Sequence, residues 1–194
     1  MFQDDDKKAE TDKPSEGVAN RLLEARKILI CEAIDQKMAK GVTAQLLALA
    51  EDGDAPITMF INSQGGHVEA GDTIHDMVRF IKPKVRMIGT GWVASAGTHI
   101  FLAADKENRF CLPNTRFLIH QPSGGVGGKV SDIEIQAEQI EKMRERLARI
   151  ISDQTGTDIE QVREDIERDK WMSTEEAIAY GILSKVIATE AEIA

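Results

Sequence analysis

Apolar and polar positions alternate in two different rhythms along this chain, one of period near 3.6 and one of short continuous apolar runs. Residues 1–16 follow neither. From Asp4-Asp5-Asp6-Lys7-Lys8 to Lys13-Pro14-Ser15 no spacing could present an apolar face, so an acidic, disordered tail is expected ahead of one domain at 17–194. An apolar-polar stretch covers 18–29, after which Met38, Val42, Leu46 and Leu49 fall on one side of a predicted helix. Past the turn residues Asp52-Gly53-Asp54-Ala55-Pro56, the run 57–61 reads as a buried strand that ends at Asn62-Ser63-Gln64-Gly65-Gly66. Ile74, Met77, Val78 and Ile81 return to helical spacing, and Pro83, which has no N–H to donate, closes that helix.

The strand, glycine turn and helix then recur. Residues 85–89 read as a strand, 90–97 as a turn of small residues, 99–103 as further apolar chain and 117–120 as another strand, an alternation that predicts an α/β fold with mainly parallel strands. Three Ser/Thr-x-x-Glu spacings, beginning at Ser131, Thr157 and Ser173, are expected to cap helices reciprocally. The first would open a long helix carrying Ile133, Ile140, Met143, Leu147 and Ile150, and Gly181 would end the last in the left-handed conformation.

Composition narrows the function more than the fold. At 194 residues, 42% hydrophobic and 29% charged, the chain can bury one sizeable core. A net charge of -9 without any basic run argues against a nucleic-acid partner. No apolar stretch is long enough for a membrane span, and the start is acidic, so a cytoplasmic protein is expected. Cys31 and Cys111 each lie in an apolar segment and are expected to be buried free thiols. No two of the four histidines have the spacing of a zinc helix and no Cys-x-x-Cys occurs, so no metal is expected.

Ser95, in Gly91-Trp92-Val93-Ala94-Ser95-Ala96-Gly97 just past a predicted strand, sits where small neighbours let a tight turn project its hydroxyl. The segment is not G-x-S-x-G, and a serine that merely serves the turn has the same signature. The Gly65-Gly66 turn could supply backbone N–H donors for a developing oxyanion, or could simply connect strand to helix. A serine hydroxyl needs a base, and His120, at the end of a predicted strand, has the best position among the histidines. For an acid to orient it, Glu164-Asp165-Ile166-Glu167-Arg168-Asp169-Lys170 offers several carboxylates, and spacing does not choose among them.

Four segments together resemble one family: Ile61-Asn62-Ser63-Gln64-Gly65-Gly66, Gly91-Trp92-Val93-Ala94-Ser95-Ala96-Gly97, Arg116-Phe117-Leu118-Ile119-His120-Gln121-Pro122 and Glu167-Arg168-Asp169. They look like the ClpP family of Clp protease proteolytic subunits. The resemblance implies a ClpP/crotonase-like spiral of ββα units with a protruding helical handle. It implies Ser95 as nucleophile, His120 as base, Asp169 as orienting acid, and the N–H groups of Gly66 and Ala96 as oxyanion hole. It places Gly124 and Gly125 at the edge that receives substrate, and Glu167 and Arg168 at a contact between rings, where the helix from Ser131 also lies.

The activity so implied is that of a serine endopeptidase, the proteolytic subunit of an ATP-dependent Clp-type protease. Members form two stacked heptameric rings that cleave unfolded polypeptides fed by a hexameric AAA+ unfoldase, which alone uses ATP, so the subunit itself needs no cofactor. The chain departs from the family's usual pattern at Gln64, Trp92 and Ala96, and its acidic tail replaces an apolar N-terminal segment. Two other functions fit parts of the sequence: a regulatory ring subunit that co-assembles with a paralogue, and an acyl-CoA enzyme on the related crotonase-like fold.

Overall fold

The computed structural model describes residues 16–193. The expected tail therefore lies outside the described residues except for Glu16, which begins helix α1 (Glu16–Glu24).

Seven strands form one sheet. The first part is a set of parallel βα units: β1 (Lys27–Ile30), α2 (Gln36–Glu51), β2 (Ile57–Ser63), α3 (Val68–Phe80) and β3 (Val85–Ala94). Helix α2 begins where the Asp35 side chain accepts the Met38 N–H, and it buries Ala39, Val42, Leu46 and Leu49, the stripe its spacing predicts. On β2 the odd positions Ile57, Met59, Ile61 and Ser63 are all buried, the period of a strand with one face in the core.

Strand β3 is where the expectation fails. It does not turn at Gly89 but continues to Ala94, because its two halves have different partners: Met87–Gly89 pair with β4 (Arg109–Cys111), and Trp92–Ala94 pair with β5 (Arg116–Ile119). Between the halves the register against β2 slips, with Gly91 at φ 63° and the Trp92 N–H reaching the Asn62 side chain. The small residues thus mark a bulge that redirects a strand. Helix α4 (Ala96–Phe101) follows, fully buried, and takes up the start of the apolar chain read over 99–103.

The remaining elements are α5 (Val130–Thr155), α6 (Ile159–Asp165), β6 (Lys170–Met172), α7 (Thr174–Tyr180) and β7 (Lys185–Val186). Strand β6 runs antiparallel to β5, and β7 adds to β4 in parallel. Of the three expected capping boxes only Ser173 with Glu176 forms. Helix α5 starts one residue earlier, after Lys129, without a side-chain cap, and α6 is capped by Asp158 while the Thr157 hydroxyl donates to the Tyr180 carbonyl.

Gly181 ends α7 at φ 93°, and a Cβ there would stand 2.3 Å from the Thr155 carbonyl oxygen. Both the left-handed angle and the contact oppose any side chain, so Gly181→Ala is expected to cost at least about 1–3 kcal/mol, read as a fall in thermal midpoint. Cys111 is buried as expected, and burial pushes its thiol up to about 11. Cys31 is exposed: β1 ends at Ile30, so the next residue leaves the sheet.

Candidate active site

Three loops meet at the carboxyl ends of neighbouring strands, where parallel sheets collect their sites. Gly65 and Gly66 follow β2, Ser95 follows β3 and His120 follows β5. Asp169 arrives by register. The antiparallel pairs Leu118 with Trp171 and Ile119 with Lys170 leave the next residues outward on the two chains, His120 and Asp169, opposite each other.

Ser95 holds φ 56° and ψ -121°, an angle that costs a non-glycine residue on the order of 1–3 kcal/mol. Its N–H donates to the Leu118 carbonyl at 3.0 Å, and α4 starts immediately after it, which together maintain the sharp strand-to-helix elbow. His120 Nε2 lies 2.8 Å from Ser95 Oγ, and His120 Nδ1 lies 3.0 Å from Asp169 Oδ1. With the Nδ1 proton donated to the carboxylate, Nε2 is left to accept the serine hydroxyl. The structure thus joins Ser95, His120 and Asp169 in one hydrogen-bonded chain.

The glycines are packed against that elbow. A Cβ on Gly65, which has φ 96°, would lie 2.6 Å from Ser95 Cβ and 3.0 Å from the Ala96 nitrogen, and a Cβ on Gly66 would lie 2.2 Å from the Ile34 carbonyl oxygen. Only glycine allows the 65–66 segment so close. Among the described residues neither the Gly66 nor the Ala96 N–H has an acceptor, although Ser95, Gly65 and His67 around them are bonded. Both donors are left free in the segments that flank the elbow, where an oxyanion formed at Ser95 could accept them.

The charge run of 164–170 is sorted by burial. Asp165 accepts from Lys170 Nζ at 3.0 Å and from the Tyr180 hydroxyl at 2.9 Å, with its side chain only 10% exposed. Burial first, and that bond to Asp165, push the Tyr180 hydroxyl far above its ordinary value. Asp165 therefore knits α6, β6 and α7 together, and His120 is not among its partners. Glu167 pairs with Arg144 of α5 at 2.7 Å, while Arg168 is exposed with no ionic partner among the described residues.

Beside Ser95 opens a pocket walled by Val68, Thr98, His99, Ile119, Leu147 and Ile151. This largely apolar lining was not foreseen from sequence, because the six residues, Thr98 and His99 among them, come from four separated segments. Gly124 and Gly125 lie in the irregular, exposed stretch 123–127, with open space where a Cβ would be. Trp92, one departure from the family pattern, stacks at 6.4 Å on Trp171, with the Arg116 guanidinium against both rings. Among the described residues no cluster of His, Cys, Asp and Glu could hold a metal, and no helix is long and apolar enough to cross a membrane.

Comparison with known proteins identifies the family. The Clp protease family model matches residues 10–190. The chain is 55% identical, over all of both chains, to ATP-dependent Clp protease proteolytic subunit 3 of Rhizobium meliloti. It is 56% identical to proteolytic subunit 2 of Pseudomonas aeruginosa, over 88% of this chain and 85% of the relative. Among solved structures, ClpP1 from Listeria monocytogenes superposes with a TM-score of 0.83 at 51% identity, covering 91% of this chain and 99% of that one. A family match across nearly the whole chain, on a fold that brings the matched motifs to one elbow, places this chain in the Clp protease family.

Proposed function

We propose that Ser95, His120 and Asp169 carry out peptide-bond hydrolysis in this chain, a serine endopeptidase that is the proteolytic subunit of an ATP-dependent Clp protease. The observation that supports the assignment is the unbroken pair of bonds from Ser95 Oγ through the imidazole to Asp169, at 2.8 and 3.0 Å. Ser95 Oγ attacks the scissile carbonyl while His120 Nε2 takes its proton. The carbonyl oxygen becomes an oxyanion, which the N–H groups of Gly66 and Ala96 stabilise, and His120 returns the proton to the leaving amine. Water then repeats the sequence on the acyl-enzyme. Asp169 orients the ring and stabilises the imidazolium.

The pocket beside Ser95 receives the side chain preceding the cleaved bond, and its walls favour an apolar one. The strand-like approach for an unfolded polypeptide is the open stretch around Gly124 and Gly125, where the substrate backbone can lie as an added strand. No cofactor or metal enters the chemistry, and ATP is used by the ATPase partner with which the family works, read here as a hexameric AAA+ unfoldase. A cytoplasmic location fits the two free thiols.

Two stacked heptameric rings are the assembly we infer. Helix α5 projects from the body, its residues 130–139 wholly exposed, and Val130, Ile133 and Ile135 are the apolar groups available for another ring. The stripe read from the sequence is corrected in part: Leu147 is buried in the chain's own body, and Ile140, Met143 and Ile150 are half-buried. Arg168, next to Asp169 and without an ionic partner among the described residues, is the group we assign to pairing across the interface, with Glu167 beside it. Arg168→Ala is expected to shift the particle to single rings and lower activity together, by about tenfold or more, as loss of one partner of a buried interface pair does. Sedimentation paired with peptide turnover reads both, and intact double rings with lost activity would separate them.

Labelling by a fluorophosphonate probe tests the nucleophile. Modification is expected at Ser95 alone, blocked in Ser95→Ala, and a different labelled residue would overturn the assignment.

A further inference from the structure

Three consecutive residues clamp α5 where it enters the body, each to a different partner. Arg144 pairs with Glu167 at 2.7 Å, Glu145 with Arg163 of α6 at 2.6 Å, and Arg146 with Asp72 of α3 at 2.5 Å. The third pair continues inward. Asp72 Oδ2 accepts from Arg146, and Asp72 Oδ1 accepts from Nε2 of His99 on α4 at 2.9 Å. One carboxylate, one oxygen to each partner, therefore ties three helices together.

This carboxylate is ionised. Burial alone would raise the Asp72 carboxyl, but the His99 bond and Arg146 outweigh it, and the net direction is down. His99 is held on its other sides as well. Its N–H donates to the Ser95 carbonyl at 3.1 Å, and its ring stacks on His75 with centroids 4.5 Å apart and planes 6° from parallel. Burial first, then the neighbouring His99, bring His75 down to about 4, so that ring is neutral at ordinary pH and the stack is free of charge repulsion. Among the described residues His99 Nδ1 is buried without a partner, which leaves Asp72 as the ring's polar anchor.

The tie bears on the pocket beside Ser95. Thr98 and His99 of α4 form one wall, and Leu147 and Ile151 of α5 form the other, with Leu147 directly after Arg146. Only Leu147, Ala148 and Ile151 of α5 are fully buried, so Arg146 directly precedes the first buried residue of that helix. We propose that Asp72 is a positioning residue for peptide hydrolysis: by holding His99 and Arg146 together it fixes the distance between the two pocket walls, and so sets the preference for a large apolar side chain before the cleaved bond. This rests on the reading of Ser95 as nucleophile and of the pocket as the seat of that side chain.

The experiment uses the full-length assembled chain and the variants Arg146→Ala, Arg146→Lys and Asp72→Asn, with Arg149→Ala as control. Arg149 is exposed and, among the described residues, pairs only with Glu145 of its own helix. Matched peptides with leucine or alanine before the cleaved bond give kcat and KM, and the rate of fluorophosphonate labelling reports Ser95 without using the pocket. Arg146→Ala and Asp72→Asn are expected to raise KM for the leucine peptide about tenfold, the scale at which apolar pockets discriminate. The alanine peptide and the labelling rate should stay within about twofold, Arg146→Lys should recover most of the loss, and Arg149→Ala should match the unmutated chain. If Asp72→Asn fails to fold, Arg146→Ala, on a side chain 48% exposed, carries the test. A parallel fall in both peptides and in labelling, or an unchanged leucine preference, overturns the positioning role. Absence of Ser95 labelling in the unmutated chain overturns the nucleophile instead, and this proposal with it.

Discussion

Ser95→Ala is expected to lower peptide turnover by about 10³-fold or more while leaving the particle assembled. The substitution removes one oxygen from the elbow and no packing, since among the described residues the Ser95 hydroxyl is bonded only to His120. Alanine at φ 56° carries the same backbone strain that serine already bears, so the fold should be unaffected to within a few tenths of a kcal/mol, on the order expected for a change that buries nothing new. The free Gly66 and Ala96 donors remain, so some residual rate above the uncatalysed one is expected. Near-normal turnover by the purified variant would mean that another group attacks.

Asp169→Asn is expected to lower kcat by about 10²–10⁴-fold with KM little changed. An amide cannot compensate the imidazolium, and it can turn its NH₂ toward Nδ1 and impose the wrong tautomer. The Asp169 side chain is 62% exposed, so water offsets part of the lost charge, and the lower half of that range is the closer expectation. Asp165→Asn supplies the contrast. That carboxylate holds Lys170 and the Tyr180 hydroxyl in a site 10% exposed, so its loss should cost about 1–3 kcal/mol of stability and leave turnover of the folded protein within about twofold. Thermal unfolding beside steady-state kinetics separates the two, and the reverse ranking would move the acid to Asp165.

The contrast between these two aspartates shows how far the chain could be read unaided. In 164–170 every carboxylate has the same local description, a polar residue in a polar run. Burial of Asp165 against α7, and the β5–β6 register that sets Asp169 across from His120, are long-range facts. Without the family resemblance no spacing rule selects one over the other. The 90–97 segment illustrates the same limit, since its small residues read as a turn but form the second half of β3, stabilised by pairing with β5 more than twenty residues on.

What the sequence determined by itself was local: the periodicity of α2, the buried run of β2, the capping box at Ser173 and the stop at Gly181. Each depends on neighbours within about one or two helical turns, where backbone geometry and side-chain period leave few choices. Tertiary structure alone decided which carboxylate meets His120, where β3 bends, which residues wall the pocket, and that Asp72 joins His99 to Arg146. Those outcomes follow from strand register and helix packing between segments far apart in the chain, and a linear pattern carries no distance between them.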